Sequence, residues 1–146
     1  MTPVQGYSFG LNHQPDKLTA LSIQSLSGLS THSPDFVNQG GVNTGSNTGA
    51  YASVVIDFQG QQRLPPGDHD LHGIWCLVNM YNGSSATACF CDCIAPGAVV
   101  NTFVVVNGTD VQPTEACGTV SAIEPTWFSL TPGDGGVVWW TVRGRT

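Results

Sequence analysis

Charge is what this sequence has least of. Only 10% of its 146 residues are charged, against a typical ~25% for globular domains, and one lysine, Lys17, accompanies three arginines. The formal net charge of −6 argues against the basic surface that neutralises phosphates, so we expect no nucleic acid partner. Ser, Thr, Asn, Gln and Gly must cover the exterior, which suits a subunit whose surface is occupied by neighbours.

Long apolar runs, a secretion signal and catalytic motifs are also missing. No stretch reaches the ~18 apolar residues of a membrane-spanning helix, so no membrane partner is expected. The first ten residues, MTPVQGYSFG, contain neither the basic region nor the apolar region of a signal peptide. No G-x-S-x-G elbow, P-loop or H-E-x-x-H motif occurs. We therefore expect no catalytic residues, no cofactor and no enzymatic activity.

Helical periodicity is nearly absent, while strand and turn signals recur along the chain. About eight β-rich runs are separated by turn residues, at the spacing typical of an antiparallel sandwich or barrel. The clearest runs are 18–26, 51–59, 99–106 and 137–143. We predict one all-β domain over residues 1–146, an antiparallel β-sandwich that is jelly-roll-like, with an immunoglobulin-like topology as the alternative.

Two segments are predicted to lie outside this sandwich. Residues 1–15 are predicted to form an extended N-terminal arm, in which Tyr7, Phe9 and Leu11 alternate with small or polar residues. Residues 28–49 are predicted to form a long polar loop in which Phe36 is one of two bulky residues. Because the arm has no adjacent partner strand in the sequence, it can add a strand to a neighbour's sheet. We expect these four side chains to contact neighbouring subunits.

Residues 68–93 hold four of the five cysteines and the clearest hairpin signal. Asn82 and Gly83 separate the β-rich runs 74–81 and 87–94, and an Asn-Gly pair favours a tight turn between antiparallel strands. Strand alternation in this hairpin would bring the four cysteines to one face of the sheet. They are Cys76, Cys89, Cys91 and Cys93.

That cysteine-lined face has three interpretations. Reduced cysteines packed as small apolar side chains are favoured, because their number is odd and no secretion signal is visible. The second is a disulfide between Cys76 and a cysteine of the next strand, and the third is a zinc site. Alternate strand residues lie ~7 Å apart, too far for one tetrahedral ion, so no metal is predicted. The weak zinc candidates are His72, Cys76, Cys91 and Cys93.

The last predicted strand carries two tryptophans that must point to opposite faces. Val138, Trp140 and Val142 are assigned to the core, so Trp139 and Arg143 project from the other face. Tryptophan and arginine are enriched at protein–protein interfaces, which makes these two residues interface candidates. The alternative is a carbohydrate-binding module or lectin, whose surface aromatic rings stack on a glycan.

The turn from Leu130 to Gly133, followed by an aromatic strand, is similar to late turns in fibronectin-like and viral β-sandwich domains. In its size, its charge poverty, its N-terminus without a secretion signal and its extended arm, the chain resembles the small β-sandwich decoration and minor capsid proteins of tailed bacteriophages. That resemblance implies a structural subunit that is made in the host cytoplasm and located in the virion. Its expected partners are copies of itself and a major capsid or other structural protein.

Overall fold

The protein consists of two antiparallel β-sheets that face each other, in agreement with the predicted all-β sandwich. The computed structural model describes residues 3–44, 47–81, 83–94, 102–105, 108–122 and 136–145, of which residues 44, 47, 102–105 and 136–145 are described by their backbone alone. Within these ranges every strand pairing is antiparallel. No helix there is long and apolar enough to cross a membrane.

The described residues form ten strands and one short helix, where the sequence predicts about eight strands. In chain order they are β1 (Val4–His13), β2 (Leu18–Ser25), α1 (Ser27–Ser30), β3 (Phe36–Thr44), β4 (Asn47–Val55), β5 (Asp68–Val78), β6 (Ser85–Phe90), β7 (Thr102–Val105), β8 (Thr109–Val111), β9 (Cys117–Ser121) and β10 (Gly136–Arg145). The predicted turn at 130–133 lies outside the described residues.

Strand β1 lies at the centre of the larger sheet. One of its edges pairs with β4, and β3 extends the sheet beyond β4. Its other edge is shared, because β7 pairs with residues 4–8 and β6 with residues 11–13. Strands β8 and β9 extend the sheet beyond β7 and β6, respectively. The smaller sheet has the order β10-β5-β2. The jelly-roll assignment stays a prediction.

The N-terminal segment is therefore not an extended arm, and the interface role predicted for Tyr7, Phe9 and Leu11 is wrong. Their side chains are 3%, 6% and 7% exposed, and they belong to the core between the two sheets. The apolar alternation does indicate a strand with one buried face. That face is covered by this chain's own second sheet, because β1 finds its partner strands far along the sequence.

Residues 28–49 do not form a loop, since they contain all of β3 and the start of β4. The amide of Asn43 binds the Ala20 backbone twice, accepting from its N–H at 3.1 Å and donating to its carbonyl at 2.6 Å. The Gln39 amide donates to the Ile23 carbonyl at 3.3 Å. These bonds occupy peptide groups on the edge of β2 and close one side of the sandwich.

The hairpin predicted around Asn82 and Gly83 is also wrong, because its two strands belong to different sheets. Strand β5 lies between β10 and β2 in the smaller sheet, whereas β6 pairs with β1 and β9 in the larger one. Gly83 does adopt the positive φ of a turn, at 79°. The turn, however, carries the chain from one sheet to the other.

Candidate functional site

The outer face of the larger sheet is lined by small side chains at its centre. Side chains alternate along a strand, so the residues between the core positions of β1 point away from the core. Among these outward residues are Gly6 and Ser8, and their partners in register on β4 are Val55 and Ser53. Small residues in the middle of a sheet leave a depression that taller residues at its rim can enclose.

One wall of that depression is a turn organised by Asp57. Its carboxylate accepts backbone N–H bonds from Gln59 at 2.7 Å, Gln61 at 2.9 Å and Gln62 at 2.8 Å. These bonds, the one from Gln62 foremost, lower the pKa of the Asp57 carboxyl. The Phe58 N–H donates to the Asp35 carboxylate at 2.9 Å, which fixes the position from which the Phe58 ring projects.

The resulting groove, which we call the Phe36–Phe58 groove, has a volume of about 610 Å³. The Phe36 ring, on strand β3, is 44% exposed and the Phe58 ring is 67% exposed. Gln5, Ser53 and Arg63 also line the groove. Two accessible aromatic rings beside an arginine and neutral polar residues are typical of binding surfaces, and nothing in this set is a nucleophile with a neighbouring base.

A polar pair lies in the core, where the Tyr7 hydroxyl and Nε2 of His72 form a hydrogen bond of 2.7 Å. The Phe9 ring meets the His72 ring edge-on, with centroids 5.3 Å apart. Burial lowers the pKa of His72 to about 4 and raises the pKa of the Tyr7 hydroxyl. Both groups are therefore uncharged at neutral pH. The pair joins the two sheets, because Tyr7 lies on β1 and His72 lies on β5. His72 is 0% exposed, so its imidazole does not contact a solute.

The weak zinc candidates are not brought together. His72 and Cys76 lie four residues apart on β5, roughly 13 Å by the rise of a strand, and this separation also argues against a catalytic pair. Cys91 and Cys93 are bonded to each other. Burial raises the pKa of the Cys76 thiol to about 11, which disfavours the reactive thiolate. Within the described part of the chain, no three His, Cys, Asp or Glu side chains are grouped to hold a metal.

The prediction that most cysteines are reduced is wrong. A disulfide joins Cys89 of β6 to Cys117 of β9, and a second joins Cys91 to Cys93. Cys76 is the free thiol, and it is buried. The partner of Cys89 lies 28 residues away on a strand that the sequence does not mark as its neighbour.

Trp139 and Arg143 belong to β10, whose side chains lie outside the described residues. Their backbone register pairs Trp139 with Trp75 and Arg143 with Asp70, two residues with exposed side chains. Their role at an interface therefore stays a prediction.

Sequence reasoning identifies Phe36 but misses Phe58 and Arg63. The strand predicted over 51–59 includes Phe58, whereas β4 ends at Val55. The missed signal is Asp57, since an aspartate before a Gln- and Gly-rich stretch favours a turn that its own carboxylate caps. Such a turn places the next side chain at the surface.

The sequence matches no known protein-family model and no curated protein sequence. What the protein does is therefore inferred from the Phe36–Phe58 groove and the two disulfides.

Proposed function

We propose that the protein is a non-enzymatic structural subunit of a large assembly, a virion decoration or minor capsid protein that binds neighbouring subunits. The observation that carries this proposal is the Phe36–Phe58 groove, in which two large apolar rings are exposed to solvent on a charge-poor chain. Aromatic residues and arginine are enriched in protein–protein interfaces, whereas lysine and glutamate are depleted there. The groove combines both rings with Arg63.

The two disulfides support a working location outside a reducing compartment. Disulfides persist on virions, on cell surfaces and in secreted proteins, and they are rare where glutathione keeps thiols reduced. A capsid subunit made in the host cytoplasm meets oxidising conditions after release, when Cys89–Cys117 and Cys91–Cys93 can form. The Cys89–Cys117 bond, which joins two paired strands, then stabilises the subunit in the particle.

The groove proposal predicts that the double substitution Phe36→Ser and Phe58→Ser weakens assembly without unfolding the sandwich. Both rings are exposed in the isolated chain, so their loss removes contacts with a neighbour and few contacts within the core. Truncating one aromatic anchor of an interface typically costs ~2 kcal/mol of binding, about 30-fold in affinity. The native mass of wild type and variant would be compared by light scattering over a range of concentrations.

Tyr81→Ser is the matched control, because Tyr81 is 78% exposed and does not line the groove. It should assemble like the wild type, while the groove variant remains at lower mass with an unchanged circular dichroism spectrum. A wild-type protein that stays a 15.3 kDa monomer at every concentration would contradict self-assembly through the groove.

The second candidate function is carbohydrate binding, and the composition of the same groove is the observation that favours it. Aromatic faces stack on sugar rings, and Gln5 and Ser53, which also line the groove, carry an amide and a hydroxyl of the kind that binds sugar hydroxyls. A glycan array separates the two functions. A wild-type signal that disappears in the groove variant, from a protein that is monomeric, would support the lectin in place of the subunit.

A further inference from the structure

The two disulfides lie next to each other on the outer face of the larger sheet. Strand β6 places Ala86 and Ala88 in the core, so Cys89 points outwards. The chain leaves β6 after Phe90 and forms a turn that contains Cys91 and Cys93. Both of these cysteines are partly exposed.

Asn12 of β1 lies beside both disulfides. In register it is the direct partner of Cys89, and both side chains lie on the outer face. Directly opposed residues have Cβ atoms about 5 Å apart. The Asn12 side-chain amide donates a hydrogen bond to Sγ of Cys93 at 3.5 Å. The Cys91–Cys93 bond therefore lies beside the Cys89–Cys117 bond, with a hydrogen-bond donor directed at one of its sulfurs.

The protein holds the two pairs in different ways. Cys89 and Cys117 are partners in a ladder that runs from Ser85↔Ser121 to Cys89↔Cys117, so strand pairing keeps their sulfurs close even after reduction. Cys91 and Cys93 lie in a turn after the strand, and no ladder aligns them with each other. Once reduced, they can separate by rotation of their side chains. Their bond should re-form less readily than the cross-strand bond.

The turn is nevertheless fixed at both of its ends. The Cys91 N–H donates to the Gly10 carbonyl at 2.9 Å, and Ile94 is 0% exposed. The turn crosses β1 so closely that a Cβ at position 10 would lie 2.5 Å from the Cys91 carbonyl oxygen, which explains the glycine there. Reduction of Cys91–Cys93 can therefore be local and reversible.

We propose that Cys91–Cys93 is a reactive disulfide that exchanges with external thiolates, while Cys89–Cys117 is a structural bond. An incoming thiolate attacks Sγ of Cys91, forms a mixed disulfide with it, and displaces Cys93 as a thiolate. The Asn12 amide stabilises this leaving group, and a better-stabilised thiolate leaves faster. A second thiolate then attacks the external sulfur of the mixed disulfide and displaces Cys91 as a thiolate. The chain gains two electrons and, after protonation, two thiols, and the attacking thiols are oxidised to their own disulfide.

The test equilibrates the wild-type protein in glutathione buffers of graded composition, followed by acid quenching, alkylation and peptide mass spectrometry. We expect Cys91 and Cys93 to be alkylated in buffers at least about ten-fold less reducing than those needed for Cys89 and Cys117, a difference of ~30 mV. Reduction of both pairs together, or of Cys89–Cys117 first, would overturn the proposal. The result does not depend on the groove, so a negative result would overturn the disulfide proposal without contradicting the proposed function.

Asn12 is a positioning residue in this scheme, and its role has its own readout. In Asn12→Leu, which keeps the side-chain volume and loses the donor, the midpoint for alkylation of reduced Cys93 should move to higher pH by about one unit. Asn12→Asp should move it further, because a carboxylate repels the thiolate. A packing role alone would leave the midpoint unchanged, and that result would remove Asn12 from the scheme.

The thiolate can come from a small molecule or from another protein chain, and two reactions separate these sources. Oxidised wild type is incubated with glutathione in one, and with a reduced second copy of the chain in the other. Mass spectrometry detects the glutathione adduct, and a non-reducing gel detects the linked dimer. An adduct without dimer supports the small thiol, and a dimer joined through Cys91 or Cys93 supports the second copy. Neither product, with the original disulfide intact, overturns the proposal.

Discussion

Replacing Phe9 by alanine is expected to lower the free energy of unfolding by about 3–5 kcal/mol, the usual cost of truncating a buried phenylalanine. Phe9 is 6% exposed at the middle of β1. Its ring meets His72 of the smaller sheet and Phe90 of β6 edge-on, with centroid distances of 5.3 Å and 5.8 Å. Truncation therefore opens a cavity that touches both sheets. Urea denaturation followed by tryptophan fluorescence measures the loss.

Phe58→Ala is the matched control for Phe9→Ala. It makes the same chemical change at a ring that is 67% exposed, and it should change stability by less than about 0.5 kcal/mol. Deleting residues 2–12 extends the comparison, because a central strand cannot be removed without loss of the larger sheet, whereas a free arm can. Equal costs for the two substitutions, together with a folded deletion variant, would restore the arm interpretation.

Strands whose signal is local can be predicted well. The alternation over residues 18–26 corresponds to β2 (Leu18–Ser25), and the run 137–143 corresponds to β10 (Gly136–Arg145). The period of β1 is also recognisable, but its partner strands are not. A run of alternating side chains identifies a buried face without saying which surface covers it. In β1 that surface is supplied by β5, far away in the sequence.

The hairpin prediction fails for a related reason. Gly83 does lie in a turn, yet a turn sequence does not decide whether the flanking strands pair with each other. Here β5 is already paired on both edges, by β10 and β2, so β6 has no edge of β5 to join. That constraint comes from the whole sheet and cannot be found in any short window.

The candidate site can be predicted in part. Phe36 stands out as a bulky residue in a polar segment, and it lines the groove. The disulfides escape prediction because an odd cysteine count and an N-terminus without a signal both favour reduced thiols. Neither observation says which cysteines lie close together in the fold. The pairing of Cys89 with Cys117 follows from the ladder between β6 and β9, which has no sequence signature of its own.

Acidification from pH 6.5 to pH 4 is expected to destabilise the fold by up to about 3 kcal/mol through His72. Burial lowers its pKa from 6.5 to about 4 in the folded state. Above pH 6.5 the imidazole is neutral in both the folded and unfolded states, and its full contribution to stability is present. Between pH 6.5 and 4, His72 binds a proton in the unfolded chain but not in the folded chain, so the free energy of unfolding falls as the pH falls. His13, whose pKa burial also lowers, acts in the same direction.

His72→Gln isolates this contribution, because glutamine does not titrate and still offers a hydrogen bond to the Tyr7 hydroxyl. The variant should be less stable than the wild type at pH 7, and the difference should shrink by up to about 3 kcal/mol by pH 4. Denaturation at several pH values measures it. His32→Gln, at a partly exposed position after α1, should leave the contribution of His72 intact. If the free energies of unfolding of wild type and His72→Gln changed with pH in the same way, His72 would not be held neutral between the sheets.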